Sequence, residues 1–388
     1  MFKRIIAFNN GIVTQDGMSG SDNRALNWTR IWSEFYDVIL VISAGGKKRY
    51  GNHRASKLIT TSRHFNSTSS LRLLLEYIFR TFKAIKITAG EVGEFSLIYS
   101  SSDLIPDAVP ALILKYRNRN KAHVKLVMGC HLLAPHPFRG YTGKTRIPSL
   151  KNLYYYFSQT LILRFARRWV DKILVSNNTD QKFLVEKKFF APEKVAVTYG
   201  ALDLEGIDHD SGGEKVFDAI FVGRAHPQKG VDDLITAWNE VNKVIPQAKL
   251  VIVGEKNTFT PIQKKIKELE LDRNIIFAGF LSGSKKYNMI QRSKLLIFPS
   301  HYESFGMVAL EALACGVPVI AYELEIYKEI YGNNLITVSK GDTTALAKAI
   351  TANMNRYQDS GFVDNLVEFS KKFDFRRTAE MVLDCDSV

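Results

Sequence analysis

The chain has 388 residues, 46% of them apolar and 24% charged, a balance near the globular average that excludes wholesale disorder. Its length exceeds one ordinary core and implies two or three domains. Three cysteines, at 130, 315 and 385, have neither metal-ligand spacing nor the density of a disulfide framework, which fits a reducing compartment. The formal charge of +14 is unevenly placed. Residues 1–200 carry 31 Lys and Arg against 13 Asp and Glu, and the rest of the chain carries 22 against 26. A basic half points to a polyanionic partner, nucleic acid or an anionic membrane, and charge does not choose between them.

In chain order, short apolar runs at Ile5–Phe8, Val38–Ile42, Leu97–Tyr99, Lys125–Met128 and Ile173–Val175 read as strands. Helical patterns such as Ser21–Glu34 and Asp107–Arg117 lie between them. A second series of strands follows at Ala219–Val222, Leu250–Val253, Ile275–Ala278, Leu295–Phe298 and Val317–Ala321. Its helices are expected at Val231–Val244, Thr260–Leu271, Ser284–Arg292 and Met307–Ala314. Alternating βα units predict parallel sheets. The polar, Gly- and Asp-rich stretch Asp203–Glu214 separates the series and reads as a linker. The expected fold class is therefore α/β, two doubly wound Rossmann-like domains facing across a cleft, whose ligands bind at the carboxyl ends of the strands. The opening Met-Phe-Lys-Arg-Ile-Ile-Ala-Phe is too briefly apolar for a secretory signal, and no run reaches transmembrane length. The expectation is a cytoplasmic protein able to lie on a membrane.

Two segments of the second series carry chemistry. After the strand ending at Gly223, a loop brings Arg224 and Lys229 to the start of a helix, where two cations can clamp a phosphate. Taken alone, that loop also reads as a solvated turn. After the strand ending at Phe298, Glu303 stands in a loop, and a helix opens near Gly306 and Met307. Its first amides suit an anion. Glu303 and Glu311, eight residues apart, can line one pocket at different depths and accept hydrogen bonds from paired hydroxyls of a sugar or ribose. Glu303 also reads as a helix-dipole charge and Glu311 as an exposed helix Glu. The apolar company of Glu311, Ala309-Leu-Glu-Ala-Leu-Ala314, instead demands a partner for a buried carboxylate.

The Glu303-x7-Glu311 spacing is followed by Ala-Cys-Gly-Val-Pro-Val and preceded by Val-Gly-Arg224, Lys229-Gly, Leu-Val-Ile-Val-Gly254 and Phe-Ala-Gly-Phe-Leu281. Together these resemble the retaining glycosyltransferases of family 4 (glycosyl transferases group 1), which have the GT-B fold. The likeness covers roughly Ala219–Glu329. It departs after Ala321, where Glu325 and Ile326 stand in place of a Gly-Gly pair.

The resemblance implies an acceptor-side domain over 1–204, a donor-binding domain over 205–370, and a terminal helix over 371–388 crossing back to the first domain. It implies transfer of a sugar from a nucleoside-diphosphate sugar to an acceptor hydroxyl, without metal or other cofactor; the basic first half adds the expectation of a glycan or lipid-linked acceptor at a membrane surface. The only Asp-x-Asp triplets, Asp208-His-Asp210 and Asp384-Cys-Asp386, read as solvated ends. His131 after the strand Lys125–Met128 resembles the active-site His of the family. It reads equally as a strand-end loop cap, and His136 is a nearby competitor. Gly17 and Gly20 resemble the Gly-rich loop near the donor phosphates. With Arg224, Lys229 and Glu303, His131 forms the implied catalytic set. Gly17, Gly20, Gly223, Arg224, Lys229, Glu303, Ser304, Phe305, Gly306, Met307, Val308 and Glu311 form the implied donor site.

The stretches Leu71–Lys86 and Tyr154–Trp169 mix aromatic, apolar and basic residues, so they can lie on an anionic membrane. Most of their apolar residues are expected to face the core. Rival readings are a nucleic-acid-binding protein, a non-catalytic sugar-nucleotide binder, and a GT-B-like epimerase or phosphorylase. The nucleic-acid reading explains neither the acidic second half nor the paired glutamates, so no nucleic-acid partner is expected.

Overall fold

The computed structural model describes residues 2–11, 19–47, 49–51, 53–62, 70–140, 147, 150–207, 213–255 and 259–384. The chain forms two compact units. The first takes Met1–Gly140, Thr145–Ala201 and Phe375–Val388, and the second takes most of its residues from Leu202–Asp374. The change between units falls at Ala201 and Leu202, where the sequence suggested 204 and 205. The chain re-enters the first unit at Phe375, where 371 was suggested.

The first unit holds a seven-stranded sheet of β1 (Arg4–Asn9), β2 (Asp37–Ile42), β3 (Lys57–Thr60), β4 (Ser96–Ser100), β5 (Val124–Gly129), β6 (Lys172–Val175) and β7 (Val195–Val197). Their order is β3-β2-β1-β4-β5-β6-β7, all parallel. The helices are α1 (Gly20–Trp32), α2 (Ser70–Thr88), α3 (Ile105–Arg117), α4 (Leu150–Trp169) and α5 (Asn178–Glu186). The runs Ile-Ile-Ala-Phe and Val-Ile-Leu-Val-Ile are buried without alternation because helices cover both faces of the sheet. Ile6, Phe8 and Met128 pack on one face, while Ile5, Ala7 and Tyr99 pack with Trp28 and Trp32 of α1 on the other.

The second unit holds β8 (Phe217–Val222), β9 (Leu250–Val253), β10 (Ile275–Gly279), β11 (Ser293–Phe298), β12 (Val319–Tyr322) and β13 (Ile336–Val338). Their order is β10-β9-β8-β11-β12-β13, again all parallel. Its helices are α6 (Val231–Val244), α7 (Thr260–Glu268), α8 (Gly283–Gln291), α9 (Met307–Ala314), α10 (Glu325–Tyr331), α11 (Thr343–Ala352) and α12 (Ser360–Ser370). Helix α6 is amphipathic and buries Leu234, Ile235, Trp238 and Val241. Helix α9 is buried nearly all round.

The α/β class and both parallel sheets match the sequence reading. The resemblance to the family also implied a last strand of the first domain near Val197–Gly200, and β7 lies at its start; the short edge strands β3 and β13 were not anticipated. Within the expected tail of 371–388 the described residues hold one helix, α13 (Phe375–Leu383), set off by a break from α12, which stops at Ser370. Helix α13 packs in the first unit, where Trp28 Nε1 donates to Thr378 Oγ1 at 2.9 Å and Trp32 Nε1 to the Ala379 carbonyl at 3.1 Å. Among the described residues, no helix is long and apolar enough to cross a membrane.

The expectation that most apolar residues of α2 and α4 face the core is corrected. On α2, Leu74, Leu75, Ile78, Phe79 and Phe82 are exposed, and on α4 so are Tyr154, Phe157, Leu161 and Phe165. These helices are apolar on more than one face, so burying one face leaves another in water.

Candidate active site

In the second sheet the strand order reverses between β8 and β11, and loops from their carboxyl ends meet there. Such a switch point is where open α/β sheets bind ligands. The loop after β8 carries Gly223, Arg224 and Lys229, and the loop after β11 carries Glu303 through Gly306. Gly230 has φ 63°, and a β-carbon there would stand 1.9 Å from the Pro299 carbonyl oxygen. Only glycine permits that approach. Hydrogen bonds lock the two loops: His301 N donates to the Gln228 carbonyl at 2.7 Å, and Gln228 Nε2 donates to the Tyr302 carbonyl at 2.8 Å.

The same docking brings Lys229 Nζ within 2.5 Å of Glu303 Oε1 and 5.5 Å above the Phe298 ring. The two side chains are therefore partners in this structure, which the sequence reading had assigned separately to phosphate and sugar. An ammonium has three N–H donors, so one partner leaves two for another acceptor. Arg224 is exposed and, among the described residues, makes no ion pair.

Asp233 on α6 braces the second loop. His301 Nε2 lies 3.1 Å from its Oδ2, and the Tyr322 hydroxyl donates to it at 2.8 Å. Burial opposes ionisation of Asp233, yet these donors hold its carboxyl below the usual range.

Gly306 caps α9 at φ 93°, and its carbonyl accepts from the Tyr331 hydroxyl at 3.0 Å. Met307 and Val308 are half-buried in the first turn, whose N–H groups precede any intrahelical acceptor. Ser304 is half-buried. The Phe305 side chain is core: it packs on Tyr331 and Phe373 at 5.8 and 5.6 Å. Burial, then the Glu303 charge, pushes the Tyr327 phenol well up, so it stays a neutral wall.

Glu311 is buried one turn along α9. Its Oε1 pairs with Lys286 Nζ of α8 at 2.7 Å, and its Oε2 has no hydrogen-bond partner. Sequence reasoning missed Lys286. The signal available was the demand of a carboxylate among Ala and Leu for a cation, with the expected helix Ser284–Arg292 upstream to supply one.

In the first unit, His131 stands two residues past β5 and is 8% exposed. Its Nδ1 lies 3.4 Å from Ser176 Oγ, and its Nε2 is without a partner. Burial, then Arg24, holds its pKa well below the ordinary value, so the ring is neutral at pH 7. Gly20 is the first residue of α1, behind a Ser19–Asp22 capping box. Gly17 and the Asp208–Asp210 triplet lie outside the described residues. Cys385 and Asp386 of the tail triplet do too.

A polar network at the β1/β4 switch point was also missed. Asp107 accepts from the Asn10 and Gly11 amides and from Ser101 and Ser102 hydroxyls. Burial lifts its pKa to about 7. Its residues are scattered along the chain at Asn10, Ser101 and Asp107, so no local motif announces it.

Comparison with known proteins places the second unit. Residues 208–368 match the family described as Glycosyl transferases group 1. The chain is 31% identical over 155 residues to an uncharacterized glycosyltransferase of Methanocaldococcus jannaschii, covering 39% of each chain. It is 24% identical over 339 residues to the N-acetyl-alpha-D-glucosaminyl L-malate synthase of Bacillus anthracis, covering 79% of this chain and 83% of that one. The matches span about two fifths or less of the first curated relatives. The fold resembles that of Anabaena HepE, solved with UDP and glucose, with TM-score 0.74 and 18% identity over 98% of both chains. The two parallel-sheet units thus share the GT-B fold of that structure, and residues 208–368, most of them in the second unit, match Glycosyl transferases group 1.

Proposed function

We propose that the protein is a retaining, metal-independent glycosyltransferase of family 4. It would move a sugar from a nucleoside-diphosphate sugar to a hydroxyl of a glycan or lipid-linked acceptor. The observation that carries this reading is the docking of Lys229 and Glu303 at the β8/β11 switch point, beside the start of α9. A cation, a carboxylate and a helix N-terminus there match a sugar joined to a diphosphate.

In this reading the anomeric carbon loses its bond to the diphosphate oxygen and gains one to the acceptor oxygen, while the acceptor proton passes to the departing phosphate. Charge grows on that phosphate. Arg224, the two remaining donors of Lys229 and the amides at Met307 and Val308 stabilise it, with Gly223 allowing close approach. Glu303 holds sugar hydroxyls and Glu311 the ribose, its Oε2 being open to a donor. His131 orients the sugar as a neutral imidazole. No residue is needed as general base, and no step calls on a metal.

Thermal-shift titration with nucleoside-diphosphate sugars, followed by detection of released nucleoside diphosphate, tests the reading. At least one donor is expected to stabilise the wild type and not Lys229→Met. If no sugar nucleotide stabilises the chain, the proposal fails.

The membrane part of the reading rests on a separate observation. Helices α2 and α4 expose Phe79, Phe82, Phe157 and Phe165, and an apolar groove of about 660 Å³ runs between α3 and α4. Arg72, Lys83 and Lys86 on α2 and Arg164, Arg167 and Arg168 on α4 supply cations alongside. Apolar rings flanked by cations suit an anionic leaflet, where each cation contributes roughly 1 kcal/mol. That placement brings a lipid-linked acceptor to a cytoplasmic enzyme.

A further inference from the structure

Arg24 is a buried charge with no ion-pair partner among the described residues. It sits early in α1, on the face that buries Ala25, Trp28 and Trp32 in the first sheet, and is 3% exposed. Among the described residues it makes no hydrogen bond and no ion pair, and its Nε is fully enclosed without a partner. A buried guanidinium with five N–H donors and no acceptor costs several kcal/mol unless an anion meets it.

Carboxylates in the same unit do not serve. Asp22 is engaged in the α1 capping box and feels the charge of Arg49. Asp107 is already satisfied by two amides and two hydroxyls. The group that counters the burial of Arg24 is the Tyr99 phenol, which is neutral at pH 7. The guanidinium pKa accordingly falls to about 10.

Two further unpartnered polar atoms gather on the same side of the sheet. Arg24 and Trp28 are one turn apart on α1, so they share a face. The Trp28 ring lies 5.9 Å from the Tyr99 ring and 6.4 Å from the His131 ring. The Tyr99 hydroxyl and His131 Nε2 are both buried without partners. Tyr99 is on β4, and His131 follows the adjacent strand β5. A guanidinium and a phenol O–H are two donor groups without an acceptor, next to the histidine assigned to the transferred sugar.

We propose that Arg24 and Tyr99 bind an oxyanion, phosphate or carboxylate, borne by the acceptor substrate, with His131 lining the same pocket. Naming the acceptor as its bearer rests on the transferase reading, because the neighbour of the sugar-orienting His131 is the group that receives the sugar.

The test is thermal stability of the full chain against inorganic phosphate and, separately, UDP, for the wild type, Arg24→Met and Tyr99→Phe. Phosphate is expected to stabilise the wild type, with apparent affinity at least tenfold weaker in Arg24→Met and severalfold weaker in Tyr99→Phe. Without any anion, Arg24→Met is expected to melt no lower than the wild type, since it removes an uncompensated buried charge. A merely structural arginine would give the opposite. Should Arg24→Met fail to fold, Tyr99→Phe still decides, because it removes one oxygen. Equal phosphate shifts in all three proteins, or none in the wild type, would overturn the site. A UDP shift kept in Arg24→Met but lost in Lys229→Met assigns the oxyanion to the acceptor. A UDP shift lost in Arg24→Met overturns that assignment. Failure of the donor reading shows instead as no UDP shift in any protein.

Discussion

Gly230 and Pro299 touch backbone to backbone: a β-carbon on residue 230 would lie 1.9 Å from the Pro299 carbonyl oxygen. This contact fixes the spacing of the two loops that carry Lys229 and Glu303. Gly230→Ala therefore meets both a left-handed φ of 63° and a main-chain collision. It is expected to cost about 3 kcal/mol or more of stability in urea denaturation. A loss under 1 kcal/mol would mean that the loops part easily.

Glu303→Gln keeps the side-chain shape and removes the charge that pairs with Lys229. Transfer is expected to fall about a hundredfold or more, with the circular dichroism spectrum unchanged. Unaltered turnover would remove Glu303 from the site.

Lys286→Met leaves Glu311 buried with neither oxygen paired. Breaking a buried pair from one side costs about 3 kcal/mol, and chemical denaturation should show a loss of that order. Adding Glu311→Leu should recover most of it. If the double variant is no more stable than Lys286→Met, the pair is not the source of the loss.

Asp107 gives a pH signature. Its pKa rises from the model-compound value of 3.8 to about 7 on folding. Between those values the native state binds more protons than the unfolded chain, so its contribution to stability is lost as pH rises. The slope is at most about 1.4 kcal/mol per pH unit. Asp107→Asn retains an acceptor for the Asn10 and Gly11 amides and removes the titration. Denaturation midpoints from pH 4 to 8 should fall less with pH in the variant, and parallel curves would refute the shift.

Phe82→Glu combined with Phe165→Glu places carboxylates on α2 and α4 at residues 69% and 64% exposed. Sedimentation with anionic vesicles at low salt is expected to retain the wild type and release the variant, with melting temperature unchanged. Absence of wild-type retention would remove the membrane from the proposal.

How far the sequence could be read depended on how local each signal was. The βα alternation and the Glu303-x7-Glu311 spacing are contiguous patterns, and they led to both sheets and to the β8/β11 switch point. The Lys229–Glu303 pair was not legible, because it joins residues 74 apart through a fit that only the folded Gly230 shows. Lys286 was hidden for the same reason, as one of two adjacent lysines on α8. Arg24 is not singled out by sequence, since nothing in Ser-Asp-Asn-Arg-Ala says that its face is the buried one. The exposed aromatics of α2 and α4 misled in the other direction, because apolar residues on a helix normally mark the core.

The return of the chain to the first unit has a consequence for biosynthesis. Trp28 and Trp32 emerge from the ribosome early, but Thr378 and Ala379, their hydrogen-bonding partners, emerge about 350 residues later. The second unit, made of one nearly continuous stretch, can close its core while the first still waits for α13. The half synthesised first is thus the half completed last, and a nascent chain stalled before Phe375 would display the bare α1 face to chaperones.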